Sequence, residues 1–105
     1  MLLPLLFLLQ GMPALQAEAA AQNEALNQCI ETKVREADTD LQGDALASHV
    51  TENCTEERMA LRSTAIALMI AAGRSQESAE SFFDTNYVEH LGEMLIEIQA
   101  EMEGR

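Results

Sequence analysis

The sequence predicts an all-α protein, in which a disulfide-stapled antiparallel helical hairpin is followed by a long C-terminal helix, as three to four helices in one small bundle. Apolar residues recur three and four positions apart, which is the period of an amphipathic helix. Strand-forming residues are sparse, and no stretch of the mature chain alternates between apolar and polar residues as a half-buried strand does. Two cysteines also lie at nearly equal distances from one polar turn.

The N-terminal residues are typical of an export signal. They contain an apolar core rich in leucine, a break at glycine and proline, and small residues leading to Ala17. We predict a signal peptide at residues 1–17 and a single helical domain at residues 18–105, with cleavage after Ala19 as the less favoured alternative. The apolar run is shorter than the roughly 20 residues of a membrane-spanning helix, so no membrane insertion is expected after cleavage. The predicted location is periplasmic or secreted.

The mature chain is strongly acidic. Residues 1–17 carry no charged side chain, so the whole formal net charge of −12 belongs to the rest of the chain. Such a surface repels nucleic acid and anionic lipid headgroups, and neither is expected as a ligand. The expected partner is a protein that is cationic or apolar.

The cysteine pair predicts the geometry of the hairpin. Cys29 and Cys54 are expected to form a disulfide, because exported proteins fold in an oxidising compartment and small domains need reinforcement. The middle of the segment between them falls in the polar turn DTDLQGD, residues 38–44. In an antiparallel hairpin about that turn the two sulfur atoms lie level with each other, as a disulfide requires. Closing this loop should stabilise the domain by ~3 kcal/mol.

Capping residues and breaks predict the helix boundaries. The first helix of the mature chain is expected over residues 18–37. Asp44 is the expected N-cap of a second segment, and Thr55 caps either a fresh helix or a kinked continuation. Gly73 ends that segment and Ser75 caps the last helix. The residues on the predicted apolar faces are Leu26, Cys29, Ile30, Lys33, Val34, Ala37, Leu46, His49, Val50, Cys54, Met59, Leu61, Ala65, Leu68, Ala72, Ala79, Phe82, Phe83, Tyr87, Leu91, Met94, Leu95, Ile98 and Met102.

Two histidine–glutamate pairs are the candidate metal ligands. His49 and Glu52, and likewise His90 and Glu93, lie one helical turn apart, a spacing that metal sites in helical bundles use. Nothing in the sequence shows that the pairs meet, so neither a metal nor a cofactor is expected. The turn at residues 38–44 begins as a calcium-binding EF-hand loop does, but position twelve of that loop would be His49 instead of a bidentate glutamate. An acidic turn is therefore the favoured interpretation.

An acidic ladder recurs every four residues along the predicted last helix. Like charges at this spacing repel each other and need compensation. A hairpin about residues 73–75 is expected to place Arg58 and Arg62 beside the first two members. The last two members, expected to have no basic neighbour, are candidates for binding a cationic partner, although solvation of this face is favoured. The four members are Glu89, Glu93, Glu97 and Glu101.

Apolar residues supply further candidates for partner binding. The segment 64–73 is apolar on all sides and belongs either to the centre of a bundle or to an interface, which raises the alternative of a homodimer. Met59, Leu68 and Met69 are candidate partner-binding residues because methionine-rich surfaces adapt to varied partners, although core packing is the commoner role of methionine. Gly92 costs its helix ~1 kcal/mol relative to alanine, so it is expected to mark the close approach of a neighbouring helix.

Catalytic motifs are missing from the sequence. It contains no glycine-flanked serine and no phosphate-binding loop, and the cysteines are better explained as a pair. The aromatic residues of the mature chain, Phe82, Phe83 and Tyr87, are few for a substrate pocket. We do not predict an enzyme.

The stretch CIETKVREADTDLQGDALASHVTENCTEERMALRSTAIAL, residues 29–68, resembles a loose group of small exported proteobacterial proteins. Those proteins have a signal peptide, a helix with one cysteine, a polar turn, and a second cysteine in the next helical stretch. Most are uncharacterised, so the resemblance implies export and a disulfide but no activity. In outline the chain is also similar to acid-stress periplasmic chaperones, which are small and helical with one disulfide.

These observations predict a small exported helical protein that acts by binding, as a protein-interaction or structural module, without catalysis. The alternative is a periplasmic chaperone-like protein that holds unfolded clients on a methionine-rich apolar surface.

Overall fold

Four α-helices make up the part of the chain that the computed structural model describes, residues 3–38 and 40–104, with side chains from Pro13 onward. They are α1 (Leu3–Glu36), α2 (Gly43–Asn53), α3 (Thr55–Ala71) and α4 (Gln76–Glu103). No strand occurs in these residues, and the predicted all-α fold is confirmed. Part of the predicted signal peptide lies outside the described residues, and its cleavage stays a prediction.

The second and third helices form one kinked rod. Cys54 lies between them with φ −117° and ψ 26°, outside the helical range. Its N–H still donates to the carbonyl of Val50 at 2.9 Å, and Arg58 N–H donates to the Cys54 carbonyl at 3.0 Å. The hydroxyl of Thr55 donates back to the Thr51 carbonyl at 3.1 Å, so it does not cap the next helix. Of the two sequence-based alternatives, the kinked continuation is therefore observed.

The molecule is a bundle of three rods: α1, the α2–α3 rod and α4. The predicted disulfide joins Cys29 of α1 to Cys54, with their Cα atoms 6.0 Å apart. This link holds α1 antiparallel to the α2–α3 rod. The last helix turns back along α3 and therefore runs parallel to α1.

The turn between α1 and α2 lies where the cysteine spacing predicts it. The carboxylate of Asp38 accepts a hydrogen bond from Asp40 N–H at 3.2 Å, which shapes an acidic turn. The prediction of Asp44 as the N-cap is wrong, because the cap is Gln42 and its side chain makes no capping bond. Gly43 enters the helix with φ 57°, which glycine adopts without strain. Asp44 consequently lies in the first turn, where its charge favours the helix dipole.

The turn between α3 and α4 has the predicted caps. Gly73 adopts φ 105° just beyond α3, a left-handed conformation that ends the helix. Ser75 is the N-cap of α4, and its hydroxyl accepts a hydrogen bond from Ser78 N–H at 3.2 Å. These short-range signals were readable from the sequence because they act within a few residues.

The core is concentrated at the disulfide end of the bundle, where α1, α2 and α4 meet. Its buried residues recur at helical spacing on each of the three helices, and their removal from water is the main source of stability. They are Leu26, Ile30, Val34, Leu46, Val50, Cys54, Leu91, Leu95 and Ile98.

Four residues assigned to the predicted apolar faces are exposed instead, and one of them is the small side chain of Ala72. Phe82, Met59 and Met102 expose 46, 46 and 38 per cent of their surface. Because one residue step turns a helix by about 100°, Phe82 cannot share the buried direction of its neighbour Phe83. The guanidinium of Arg74 lies over the ring of Phe82, 4.3 Å from its centre.

Candidate functional site

An open groove of about 510 Å³ lies between α2 and α4. Its floor is formed by the core residues Leu46, Leu91 and Leu95, which come from both helices. We call it the α2–α4 groove. The bank residues on which the following argument depends are Asp44, Ala47 and Glu52 of α2, and Val88, Gly92 and Ile96 of α4.

Gly92 opens the α4 bank of the groove. A methyl group built at this position meets nothing within 4 Å. The prediction that Gly92 marks the close approach of a neighbouring helix is therefore wrong within the described chain. The space beside Gly92 is the groove itself, and the missing side chain widens it.

Val88 and Ile96 flank that opening along α4. They are the most exposed large apolar side chains among the described residues, at 68 and 71 per cent. Residues four apart lie on one face of a helix, so Val88, Gly92 and Ile96 form a stripe beside the groove. Sequence reasoning missed Val88 and Ile96, although their spacing of four around Gly92 was an available signal.

The α2 bank of the groove is acidic, and two further acidic residues lie beside the α4 bank. Among the described lining residues the charged side chains are Asp44 and Glu52, and none is basic. Glu89 and Glu93 each follow a groove residue by one position, which turns them by about 100° toward solvent along the outer edge of the α4 bank. Both are exposed.

Arg62 and Arg58 contact α4 at different residues from those predicted. Arg62 donates to both carboxylate oxygens of Asp84, at 2.9 and 3.1 Å. Arg58 lies over the ring of Tyr87, 5.6 Å from its centre. The predicted pairing with the first two members of the acidic ladder is wrong, because those two glutamates are turned well away from Asp84 and Tyr87 around α4.

The hydrogen bonds between Arg62 and Asp84 shift the pKa of both side chains. The hydrogen bond from Arg62 lowers the pKa of Asp84 below its ordinary value of 3.8. The same bond raises the pKa of Arg62. The pair therefore stays ionised in neutral solution and joins α3 to α4.

Glu101, the last member of the acidic ladder, has a basic neighbour. Its carboxylate accepts a hydrogen bond from Arg35 of α1 at 3.0 Å. Arg35 also donates to Glu31, one turn earlier on α1, at 3.0 Å. The expectation that Glu101 has no base nearby is wrong, because the parallel packing of α1 and α4 joins residues far apart in sequence. Glu97 is exposed.

The two histidines take part in separate hydrogen bonds. The imidazole of His90 lies 2.8 Å from the side-chain oxygen of Asn27 on α1. The side chain of Asn53 donates to the carbonyl of His49 at 2.7 Å. No cluster of three or more potential metal ligands occurs in the described part of the chain. Glu52 lies on the α2 bank of the groove and Glu93 beside the opposite bank.

Met59, Leu68 and Met69 do not share one face of α3. Nine residues separate Met59 from Leu68, and at about 100° a residue they point in nearly opposite directions. Met59 is exposed, whereas Leu68 and Met69 are half-buried. In the segment predicted to be apolar on all sides, Ile66 is buried and Ile70 is exposed.

Among the helices that the structure describes, none has the length and apolar character needed to cross a membrane. Comparison of the chain with protein-family models, curated proteins and solved structures finds no match. The fold and the groove define a small disulfide-bonded helical bundle with an open groove whose α2 bank is acidic.

Proposed function

We propose that this protein is exported and acts by binding another protein through the α2–α4 groove, without catalysis. The observation that carries the proposal is the exposure of Val88 and Ile96 beside an apolar floor. Single exposed apolar residues are ordinary on protein surfaces. Here two of them border one concave surface, so a single partner would bury both, at about 1.5–3 kcal/mol for each side chain fully removed from water.

The disulfide supports both the compartment and the binding role. Cys54 is fully buried and joined to Cys29. Disulfides persist in oxidising compartments, which agrees with the predicted signal peptide and a periplasmic or secreted location. Because Cys54 ends α2, the link also holds the α2 bank in position before a partner arrives. A preformed surface loses less entropy on binding.

Site-directed photocrosslinking tests this function. A photoreactive residue replaces Ile96 in the full chain, which is expressed for export in its native host and irradiated in cells. The matched control carries the same residue at Gln28, which is exposed on α1. We expect a discrete adduct from position 96 and none from position 28. Equal adduct patterns, or no adduct from either position, would contradict the proposal.

A chaperone-like function is the second candidate. The observation that favours it is the exposure of Met59, Ile70 and Phe82 outside the groove. Such a protein would suppress the aggregation of a denatured model client, measured by light scattering at neutral and acidic pH. Suppression that is unaffected by filling the groove would favour this function, and absence of suppression would exclude it.

A further inference from the structure

We propose that the α2–α4 groove binds a basic amphipathic helix of another protein. This inference rests on the proposed function and specifies the chemistry of the partner. The occupant would lay an apolar stripe on the groove floor and direct lysine or arginine side chains to the acidic α2 bank and to the glutamates beside the α4 bank.

The arrangement of the lining residues is that of a helix-binding surface. On α4, Val88, Leu91, Gly92 and Leu95 are spaced i, i+3, i+4 and i+7, the four-residue hole that receives one side chain of a packed helix. The next hole along α4 uses Gly92, Leu95, Ile96 and Gln99. The lining residues of α2 have the same spacing, as Asp44, Ala47, Ser48 and Thr51.

A second reason to expect a helix is the hydrogen bonding of the occupant's backbone. The groove lies between two helices, whose internal backbone groups are bonded within each helix. An extended peptide would find no strand edge there and would leave its own backbone groups unpaired, whereas a helix satisfies them internally. The α4 bank from Val88 to Gln99 is about 16 Å long, enough for about three helical turns.

Gly92 fits a large apolar side chain of the occupant. The position belongs to both holes of α4, and the space beside it is empty within 4 Å. Val88 and Ile96 lie one turn to either side and would pack around the inserted side chain. The exposed stripe and the open space therefore become parts of one contact.

Charge selects a basic occupant. Asp44 and Glu52 on one bank and Glu89 and Glu93 beside the other would lie along the two flanks of a helix in the groove. Charge complementarity of this kind favours association and rejects acidic partners. A second copy of this chain is disfavoured, because it carries the same net charge of −12 and would bring its own acidic residues against these.

The test measures binding of designed peptides to the full, disulfide-bonded chain by fluorescence anisotropy. The probe is a helical peptide of about 18 residues, about 27 Å long, with leucine at helical spacing and lysine on both flanks. One comparison peptide replaces lysine with glutamate, and another keeps the lysine peptide's composition but scrambles the leucine positions. We expect the lysine helix to bind about tenfold or more tightly than either, and to weaken with added salt.

The substitution Gly92→Leu tests whether the lysine helix binds in the α2–α4 groove. A Cβ at this position meets nothing within 4 Å, so the leucine is expected to extend into the groove and weaken binding of the lysine helix about tenfold or more. Thermal stability should stay unchanged or rise, because leucine favours a helix over glycine. Ala67→Leu adds the same side chain at an exposed position of α3 and should leave binding unchanged.

A second pair of variants tests the acidic residues beside the α4 bank. The double substitution Glu89→Gln and Glu93→Gln should weaken binding by about three- to tenfold and reduce its salt dependence. Glu24→Gln with Glu77→Gln changes the net charge equally at exposed positions outside the groove and should have little effect.

The outcomes separate this inference from the function on which it rests. Equal binding of the scrambled lysine peptide, or unchanged binding to the Gly92→Leu variant, would overturn the helix-binding groove. If the glutamate helix binds and Gly92→Leu abolishes that binding, the groove would remain a binding site, but the proposal of a basic occupant would be overturned. Sedimentation showing a dimer that Gly92→Leu dissociates would assign the groove to a second copy. A crosslink at position 96 without lysine-helix binding overturns this inference alone, and absence of both overturns the function as well.

Discussion

The two flanks of α4 differ in how they are covered. On the flank toward α1, His90 bonds to Asn27 at 2.8 Å and Glu101 bonds to Arg35 at 3.0 Å. On the flank toward α2, one hydrogen bond of 2.8 Å joins Tyr87 to Thr51, and beyond it the helices separate into the groove. One helix is therefore joined by polar contacts to α1 and left open along α2.

Helix length accounts for much of this difference. Without the predicted signal peptide, α1 still extends from residue 18 to residue 36, and its hydrogen bonds to α4 extend from Asn27 to Arg35. The second helix has 11 residues before the kink at Cys54 and gives α4 only a short neighbour. Partial cover of this kind leaves Val88 and Ile96 exposed while Leu91 and Leu95 beneath them stay buried.

The largest expected effect comes from removing the link that holds the α2 bank. Replacing both cysteines, Cys29→Ser with Cys54→Ser, should lower the free energy of unfolding by about 3 kcal/mol. Binding at the groove should weaken as well, because α2 is no longer held against α1. Denaturant unfolding measures the first effect, and the reduced wild-type chain should behave in the same way. A change below about 0.5 kcal/mol would show that the disulfide does not stabilise the hairpin.

Adjacent residues of α4 provide the next comparison. Leu95 is buried in the core and Ile96 is exposed on the groove bank. Leu95→Ala should cost about 2–3 kcal/mol of unfolding free energy, because it removes a side chain from a packed core. Ile96→Ala should change stability by about 0.5 kcal/mol or less but weaken lysine-helix binding. Equal losses of stability in the two variants would contradict the assignment of Ile96 to the groove bank.

A smaller effect is expected on the α1 flank. Asn27→Ala should lower the free energy of unfolding by about 1 kcal/mol, because it removes the oxygen that bonds His90. Binding to the groove on the opposite flank should be unchanged. The exposed neighbour provides the control, since Gln28→Ala removes a side chain without that bond. If Asn27→Ala weakened lysine-helix binding, the two flanks would not be independent.

The smallest expected effect is on stability at acidic pH. The pKa of Asp84 is lowered by its hydrogen bond from Arg62, so the folded state favours the carboxylate. The stabilisation from this pair is complete above the ordinary pKa of 3.8 and is lost as the pH falls through the lower folded value. Both side chains are partly exposed, which limits the size of the effect.

Asp84→Asn should therefore reduce Tm slightly near pH 6 and make the remaining loss of stability below about pH 4 less steep. Thermal melts across that range measure both effects. Glu97→Gln, which removes an exposed carboxyl from the same helix, is the control. An acid profile of the Asp84→Asn variant that coincides with wild type would contradict a stabilising role for the pair.

Much of the fold was predictable because its signals are local. The periodic core residues, the stop at Gly73 and the cap at Ser75 act within one or two turns of helix. The cysteine spacing placed the first turn, since a covalent link relates two distant positions directly. The N-cap of α2 was missed by two residues because glycine permitted a different entry into the helix.

The candidate site was less predictable. Sequence reasoning placed partner binding at Met59, Leu68 and Met69, which point in different directions, and at Glu97 and Glu101, of which the second pairs with Arg35. Whether those residues bind a partner stays untested. The periodic pattern identifies a buried face, but it cannot show whether the face beside it is covered.

The sequence alone determined the helical class, the two turns, the cysteine pairing and the acidic charge, because each depends on local chemistry or on residue spacing. Only the tertiary structure decided which flank of α4 is closed and which is open. That outcome depends on the relative lengths and directions of helices brought together from distant parts of the chain. The space beside Gly92, and with it the groove, exists only after α2 and α4 have packed.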